Sequence, residues 1–179
     1  MGANIGCFFP TAPSLKLLRE ERTDAWASIN KNADFSSNAK IAHNYLALWF
    51  DHGKKPIAAT YAYVLLPAKT VAATQNYALR PDVEILENSA AVQAVREKRL
   101  NLLAANFWTD EPHQVDLLEC NKKAAVMMRE RNGVLEVAVS DPTQNNHDGI
   151  DLEINRRAVR ILSKDARVRV IAVQPRIHL

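Results

Sequence analysis

The chain has 179 residues and a mass of 20.0 kDa, enough to bury a hydrophobic core in one domain or in two small ones. With 47% apolar and 24% charged residues it does not have the composition of a disordered chain, and no run approaches the roughly 20 apolar residues of a membrane-spanning helix. A net charge of +3 attracts any polyanion through charge alone, without singling out nucleic acid. We predict neither a nucleic-acid partner nor a membrane partner.

Short runs rich in β-branched, aromatic and apolar residues, separated by Gly, Pro, Asn and Asp, predict antiparallel sheets. The strands predicted in the first part of the chain are Ile5 to Phe9, Leu15 to Glu20, Asn44 to Asp51 and Thr60 to Leu66. Those predicted further along are Val83 to Glu87, Leu102 to Trp108, Val115 to Glu119, Ala124 to Glu130, Val134 to Ser140, Ile150 to Asn155, Val159 to Leu162 and Val168 to Gln174. The predicted fold class is therefore all-β.

The best helix candidate runs from Ala68 to Leu79, because it follows Pro67 and stops at Arg80-Pro81, where proline disfavours helix in the preceding residue. We interpret this segment as a connector between two domains. The predicted division is a first domain over residues 1–67, a linker with helical character over 68–81, and a second domain over 82–179. Arg96 to Leu103 fits a short helix, but Gln93 to Arg96 also fits a strand, and both interpretations stay open.

Two hairpins have local support from turn residues between apolar runs. One turn is Arg131-Asn132-Gly133, and the other is Ser163 to Ala166. The alternation from Val168 to Val173 predicts one face in the core and one in solvent.

The sequence gives little support for a metal site or for a reactive cysteine pair. Cys7 and Cys120 are too far apart for a C-x-x-C pair, so free thiols are favoured, while a bridge between them stays open. The five histidines show no H-x-H or H-x-x-x-H spacing, and zinc needs three or four convergent ligands. The loop from Asp141 to Gly149, which contains His147 and Asp148, offers at most a weak oxygen-ligated cation site. We predict no metal and no cofactor.

A self-contained active site is also absent from the sequence patterns. Asp51 and His52 are neighbours on a strand and point to opposite faces, so a strand-ending turn is favoured over a catalytic dyad. Glu20 and Glu21 diverge for the same reason and make a poor paired-carboxylate site. The five glycines form no phosphate-binding loop.

Aromatic residues are the remaining candidates, since ring faces stack on sugars. Trp49, Tyr63 and Trp108 lie in strand-like runs, which favours core packing. Trp26, beside Arg22 and Asp24 in a polar stretch, is the better candidate for a surface contact.

A series of motifs goes further than these patterns. They are Asn4-Ile5-Gly6-Cys7-Phe8-Phe9-Pro10, Arg19-Glu20-Glu21-Arg22-Thr23 with Trp26 and Ile29-Asn30, Leu48-Trp49-Phe50-Asp51-His52-Gly53, Tyr61-Ala62-Tyr63-Val64-Leu65-Leu66-Pro67, Ile85-Leu86-Glu87-Asn88 with Gln93-Ala94-Val95-Arg96, Ala105-Asn106-Phe107-Trp108, and Val139-Ser140-Asp141-Pro142-Thr143-Gln144. In this order and spacing the chain resembles the end of the central domain and the C-terminal domain of family 8 polysaccharide lyases, the hyaluronate, chondroitin and xanthan lyase group. Cys7 departs from the pattern, which has an aromatic residue there.

The resemblance implies an antiparallel β-sandwich architecture: the last strands of a supersandwich domain, then a small C-terminal β-sandwich. It implies an acidic polysaccharide as partner, cleaved by β-elimination, with an Asn that neutralises the carboxylate and His and Tyr as base and acid. Those residues belong to an N-terminal α-helical toroid that nothing in this sequence matches. We therefore expect no eliminase activity from this chain alone, and we expect the toroid, as a domain or subunit, as its partner.

The same resemblance singles out Arg22 and Trp26 as substrate-binding candidates, because the central domain closes one side of the cleft and an Arg binds a carboxylate bidentately. It also implies an extracellular location, although the N-terminal ten residues carry no signal-peptide pattern. Half of the central sheet is absent, which predicts an open edge and an exposed apolar face unless an upstream chain or partner covers them. The alternative is a non-catalytic carbohydrate-binding or structural β-sandwich module.

Overall fold

A computed structural model describes residues 4–11, 14–30 and 36–179. Residues 1–3 of the N-terminal segment considered for a signal peptide lie outside this part. In chain order the elements are β1 (Ile5–Phe8), β2 (Leu15–Asp24), α1 (Trp26–Ile29), β3 (Ile41–Phe50), β4 (Val64–Pro67), α2 (Val71–Leu79), β5 (Val83–Asn88), β6 (Val92–Glu97), β7 (Leu102–Phe107), β8 (His113–Val115), β9 (Leu118–Cys120), β10 (Ala124–Arg131), β11 (Val134–Ser140), β12 (Leu152–Ile154) and β13 (Ile177–His178). Strands in antiparallel pairs dominate, which confirms the all-β class. Within the described part, no helix has the length and apolar character to cross a membrane.

The chain divides into two compact units, Met1–Gln75 and Asn76–Leu179. The first contains two separate two-stranded sheets, β1 with β4 and β2 with β3. The β2–β3 ribbon is longer than the sequence predicts, because pairing continues from Leu15 opposite Phe50 to Asp24 opposite Ile41. The polar residues at the end of β2 hide this continuation from a hydrophobicity pattern. No described residue of the first unit is fully buried.

At Gly6 the backbone of β1 lies against the side chain of Thr74 in α2. A Cβ added at Gly6 would lie 2.2 Å from Oγ1 of Thr74, far inside van der Waals contact. The Thr74 hydroxyl is itself fixed, because it donates to the Thr70 carbonyl at 3.0 Å. Glycine is therefore required at this position so that strand and helix can meet.

The second unit is a two-layer sandwich with its own core. One sheet has the order β11-β10-β7-β6-β5, and the other has the order β13-β12-β9-β8. Alternate residues along these strands point inward, as the two-residue period of a strand requires. The core is formed by Val92, Ala94, Leu103, Ala105, Phe107, Val115, Leu118, Cys120, Ala124, Val126, Met128, Leu152, Ile154 and Ile177. Every buried hydrophobic side chain of the described residues belongs to this unit.

The two predicted hairpins have opposite outcomes. Asn132 and Gly133, at φ 53° and 74°, form the turn between β10 and β11, as predicted. The hairpin around Ser163 to Ala166 is wrong: neither predicted strand beside it forms, and the segment contributes only a bridge between Ala172 and His178. Val159 is 91% exposed, so the apolar residues there have no partner layer to pack on and alternation alone does not make a strand.

The core prediction for three aromatic residues is also wrong. Trp49, Tyr63 and Trp108 are 43%, 52% and 47% exposed. Trp108 follows the end of β7, and its indole Nε1–H donates to Gln93 Oε1 at 3.2 Å. Trp49 lies on the thinly covered β2–β3 ribbon, where a strand position does not imply burial.

The cysteines are both free thiols. Cys120 is buried in the core of the second unit, and this burial raises the pKa of its thiol. Cys7 is half-buried in β1 of the first unit.

Candidate functional site

The β2–β3 ribbon places the predicted site residue Arg22 in a regular strand. Arg22 lies opposite His43, and the cross-strand pair two positions earlier is Glu20 with Tyr45. Residues directly opposite in an antiparallel pair share a face, as do residues two apart on one strand. The four side chains therefore belong to the same face of the ribbon.

The Arg22 guanidinium is held by two of these neighbours. Its Nε donates to Glu20 Oε1 at 2.6 Å, and Nη2 lies 2.5 Å from the same oxygen. Its central carbon is 5.3 Å from the centroid of the Tyr45 ring, within cation–π range. The Arg22 side chain remains 58% exposed. An exposed guanidinium with a fixed orientation suits recognition of an anion.

The second predicted site residue, Trp26, begins the short helix α1 just after β2 and is 59% exposed. Asp24, the last residue of β2, accepts hydrogen bonds from the Ser28 hydroxyl at 2.5 Å and from the Ala25 N–H at 2.8 Å. These bonds, with that of Ser28 the stronger influence, lower the pKa of Asp24. Among the described residues the ring that pairs with Arg22 is that of Tyr45, so the structure does not bring Trp26 onto the guanidinium.

A second group of rings lies at the end of β3. The Phe50 ring meets Phe9 edge-on at 5.5 Å and Tyr61 at 5.7 Å, and the rings of Tyr61 and Tyr63 stack at 6.4 Å with an angle of 9°. His52 packs beside Phe50 and Tyr61. This cluster is partly open, since Tyr61 is 60% exposed.

The geometry at Asp51 and His52 agrees with a strand-ending turn. Asp51 forms an ion pair with Lys16 and accepts the Gly53 N–H at 2.9 Å. Both contacts, led by the hydrogen bond from Lys16, lower the pKa of Asp51. The Asp51 carboxylate thus stabilises the turn, while the His52 ring packs among aromatic residues.

The loop after β11 is held by its own hydrogen bonds. Asp141 accepts the Thr143 hydroxyl at 2.6 Å, the Thr143 N–H at 2.8 Å and the Asn146 N–H at 2.8 Å. These bonds, with the Thr143 hydroxyl the main cause, lower the pKa of Asp141 to about 2. Across residues 4–11, 14–30 and 36–179, no group of three or more His, Cys, Asp or Glu side chains could hold a metal ion.

The sequence predicts Arg22 as a candidate contact, but it does not predict the two side chains that hold Arg22. The sequence patterns point to Glu20 only as a neighbour of Glu21, and they do not single out Tyr45. The signal that identifies them is the register of β2 with β3, which places Tyr45 opposite Glu20. Register depends on a strand pairing that local composition does not specify.

Comparisons with known proteins define the class. Along 98% of this chain, the structure matches that of Paenibacillus xanthan lyase with a TM-score of 0.93 and 43% identity, covering 17% of that chain. It also matches the Streptomyces coelicolor A3 chondroitin AC lyase over 92% of this chain and 22% of the other, with a TM-score of 0.83 and 31% identity. Among sequences, the chain is 47% identical over 158 residues to xanthan lyase from Bacillus sp. (strain GL1), which is 88% of this chain and 17% of the relative. These proteins are polysaccharide lyases.

The family profiles agree with both parts of the chain. The super-sandwich domain of polysaccharide lyase family 8 matches residues 1–78, and the C-terminal beta-sandwich domain of the same family matches residues 84–149. The chain belongs to polysaccharide lyase family 8. It spans about a fifth of the length of the relatives named above.

Proposed function

We infer that this chain is the C-terminal β portion of a polysaccharide lyase that cleaves acidic polysaccharides of the hyaluronan, chondroitin or xanthan type by β-elimination. In this proposal it supports the substrate cleft, and a helical toroid outside the chain does the chemistry. The observation that carries the proposal is the match of both family 8 β-domains in order along one chain. By the same family link we propose an extracellular parent polypeptide, which fractionation of a culture into medium and cells would test.

The open surface of the first unit supports a role that needs another domain. Large apolar side chains are exposed on both faces of the β2–β3 ribbon: Leu17 and Leu46 on one face are 66% and 63% exposed, and Leu18 on the other is 43% exposed. A two-stranded ribbon is marginally stable unless something packs on it. Apolar patches of this kind mark interaction surfaces.

Arg22 and Trp26 are the proposed substrate contacts within this portion. The Arg22 guanidinium is exposed and cationic, so it would pair with a uronic acid carboxylate. The Trp26 indole, also exposed, would stack on an apolar sugar face.

Complementation tests the division of labour. The chain is mixed with the part of the Bacillus sp. xanthan lyase that it does not match, and the ultraviolet absorbance of unsaturated uronides is followed with xanthan, hyaluronan and chondroitin. We expect no product from either component alone and product from the mixture. Product from this chain alone, or none from the mixture, would overturn the proposal.

A matched pair of variants tests the contact. Arg22→Ala should weaken polysaccharide binding by about tenfold, since a bidentate charged contact is lost. Arg19→Ala removes the same charge from the opposite face of the same strand and should leave binding nearly unchanged. Equal effects of the two variants would show that only net charge matters.

The partly exposed rings of Tyr61 and Tyr63 favour a second candidate function, a non-catalytic carbohydrate-binding module. Parallel exposed rings are a surface on which sugars stack. This candidate predicts that the chain binds polysaccharide and never contributes to turnover. Recovery of elimination in the complementation mixture would exclude it.

A further inference from the structure

We propose that Glu20 and Tyr45 are positioning residues that hold the Arg22 guanidinium with one edge open for a sugar carboxylate. This inference deepens the proposed function and rests on it. It concerns how Arg22 is oriented for its contact with substrate, whereas the proposed function names the residues that touch substrate.

The contacts of Arg22 with Glu20 occupy one edge of the guanidinium and leave a second edge accessible to a ligand. A guanidinium can meet a carboxylate through Nε with one Nη, or through its two Nη groups. Glu20 Oε1 takes the first edge, since Nε and Nη2 both lie within 2.6 Å of that single oxygen. Within residues 4–11, 14–30 and 36–179, no hydrogen-bond or ion-pair partner takes the edge formed by Nη1 and the outer hydrogen of Nη2, so this edge is open to an incoming carboxylate.

The Tyr45 ring fixes the guanidinium in a second direction. Glu20 acts along one edge of the guanidinium, whereas Tyr45 provides a ring 5.3 Å from its central carbon. Tyr45 and Glu20 form one cross-strand pair, so the backbone register itself brings both supports to Arg22. Ordering a long side chain before the ligand arrives lowers the entropy cost of binding.

The other ionisable side chains on this face leave Glu20 as the direct partner of Arg22. His43 lies directly opposite Arg22 on the same face. Asp24, the other acid of β2 on this face, accepts hydrogen bonds from the Ser28 hydroxyl and the Ala25 N–H, and the charge of Lys40 acts on it. Glu20 is therefore the acid that bears directly on Arg22.

Positioning and simple charge predict opposite effects for one substitution. Glu20→Ala removes a negative charge beside a site for an anion, so net charge alone predicts tighter binding. If Glu20 instead orients Arg22, the same substitution weakens binding because the guanidinium is released. Glu21→Ala, one residue along and on the opposite face, makes the same change in charge without touching Arg22.

The experiment measures binding of the full chain to xanthan and hyaluronan, each native and with its carboxyl groups reduced to alcohols. The readout is the ratio of the Kd for the reduced polymer to that for the native polymer, which reports carboxylate recognition. We expect Glu20→Ala and Tyr45→Ala to lower this ratio by about three- to tenfold. Tyr45→Phe, which keeps the ring, and Glu20→Gln, which keeps an acceptor, should retain most of it, and Glu21→Ala should leave it unchanged.

The outcomes separate this inference from the proposed function. A ratio lowered by Arg22→Ala but not by Glu20→Ala or Tyr45→Ala would overturn the positioning role and leave the Arg22 contact standing. Tighter binding in both Glu20→Ala and Glu21→Ala would likewise overturn it in favour of net charge. A ratio near one for the unmodified chain would overturn carboxylate recognition at Arg22 itself, while the complementation result would still stand or fall separately.

Discussion

The two units of this chain differ in where their apolar side chains lie. The second unit turns alternate residues of two sheets toward each other and buries 14 hydrophobic residues between them. The first unit has comparable strands, and its ten-residue β2 and β3 are the longest of the described strands, yet none of its described residues is fully buried. Strand pairing supplies hydrogen bonds, but burial of apolar surface is the main source of stability. The contrast is between a sandwich with its own buried core and a unit whose described side chains all stay at least partly exposed.

The largest change in stability is expected when a leucine of the second unit is truncated to alanine, and truncation of a leucine in the first unit is the matched comparison. Leu118→Ala empties a fully buried position of the second unit and should cost about 2 to 5 kcal/mol. Leu46→Ala, in the 63% exposed position of β3, should change stability by no more than about 0.5 kcal/mol. Amide hydrogen exchange in β9 and β12 for the first variant, and in β2 and β3 for the second, gives both values. Equal losses would contradict the contrast in burial.

A smaller effect is expected at the close approach in the first unit. Gly6→Ala forces a methyl group onto the Thr74 hydroxyl and should cost about 1 to 3 kcal/mol, seen as lost amide protection in β1 and β4. Adding Thr74→Ala removes the nearest atom and should restore part of the protection. If Gly6→Ala exchanges like the unmodified chain, β1 and α2 do not pack as described.

A still smaller effect should come from a His–Glu contact between the two sheets of the second unit. His113 Nε2 in β8 lies 3.1 Å from Glu87 Oε2 in β5, and the Ser89 hydroxyl donates to Glu87 at 2.6 Å. The Ser89 hydrogen bond, followed by the contact with His113, lowers the pKa of Glu87. A lowered pKa stabilises the fold above the unfolded pKa, and this contribution disappears as pH falls through the folded value.

Glu87→Gln should therefore destabilise the second unit by about 1 kcal/mol at neutral pH. The difference from the unmodified chain should shrink once the pH falls below 4.5, the ordinary pKa of a Glu. Urea unfolding at several pH values measures this, with Glu111→Gln at an exposed position as the control. A difference that stays constant with pH would mean that the Glu87 charge is not involved.

Particular residues show which parts of the fold and of the candidate site can be predicted from the sequence. Asn132-Gly133 specified its hairpin, because few other pairs adopt two positive φ angles in succession. The order of motifs identified both β-domains, and Arg22 was recognised as a candidate from its place among them. Local patterns failed where a distant partner decides the outcome: Val159 to Leu162 alternates without a layer to pack on, and Trp49 lies in a strand that remains exposed. The Glu20–Tyr45 pair needed the register of two strands separated by 16 residues, from 25 to 40.

Hydrogen exchange of this chain, alone and mixed with the part of the Bacillus sp. xanthan lyase that it does not match, tests most directly whether the first unit is completed from outside. We predict that in the isolated chain the amides of β2 and β3 exchange much faster than those of β7 and β10. In the mixture, β2 and β3 should gain protection while β7 and β10 stay unchanged. Protection of β2 and β3 in the isolated chain equal to that of β7 and β10, or no gain in the mixture, would contradict a first unit that depends on a further layer.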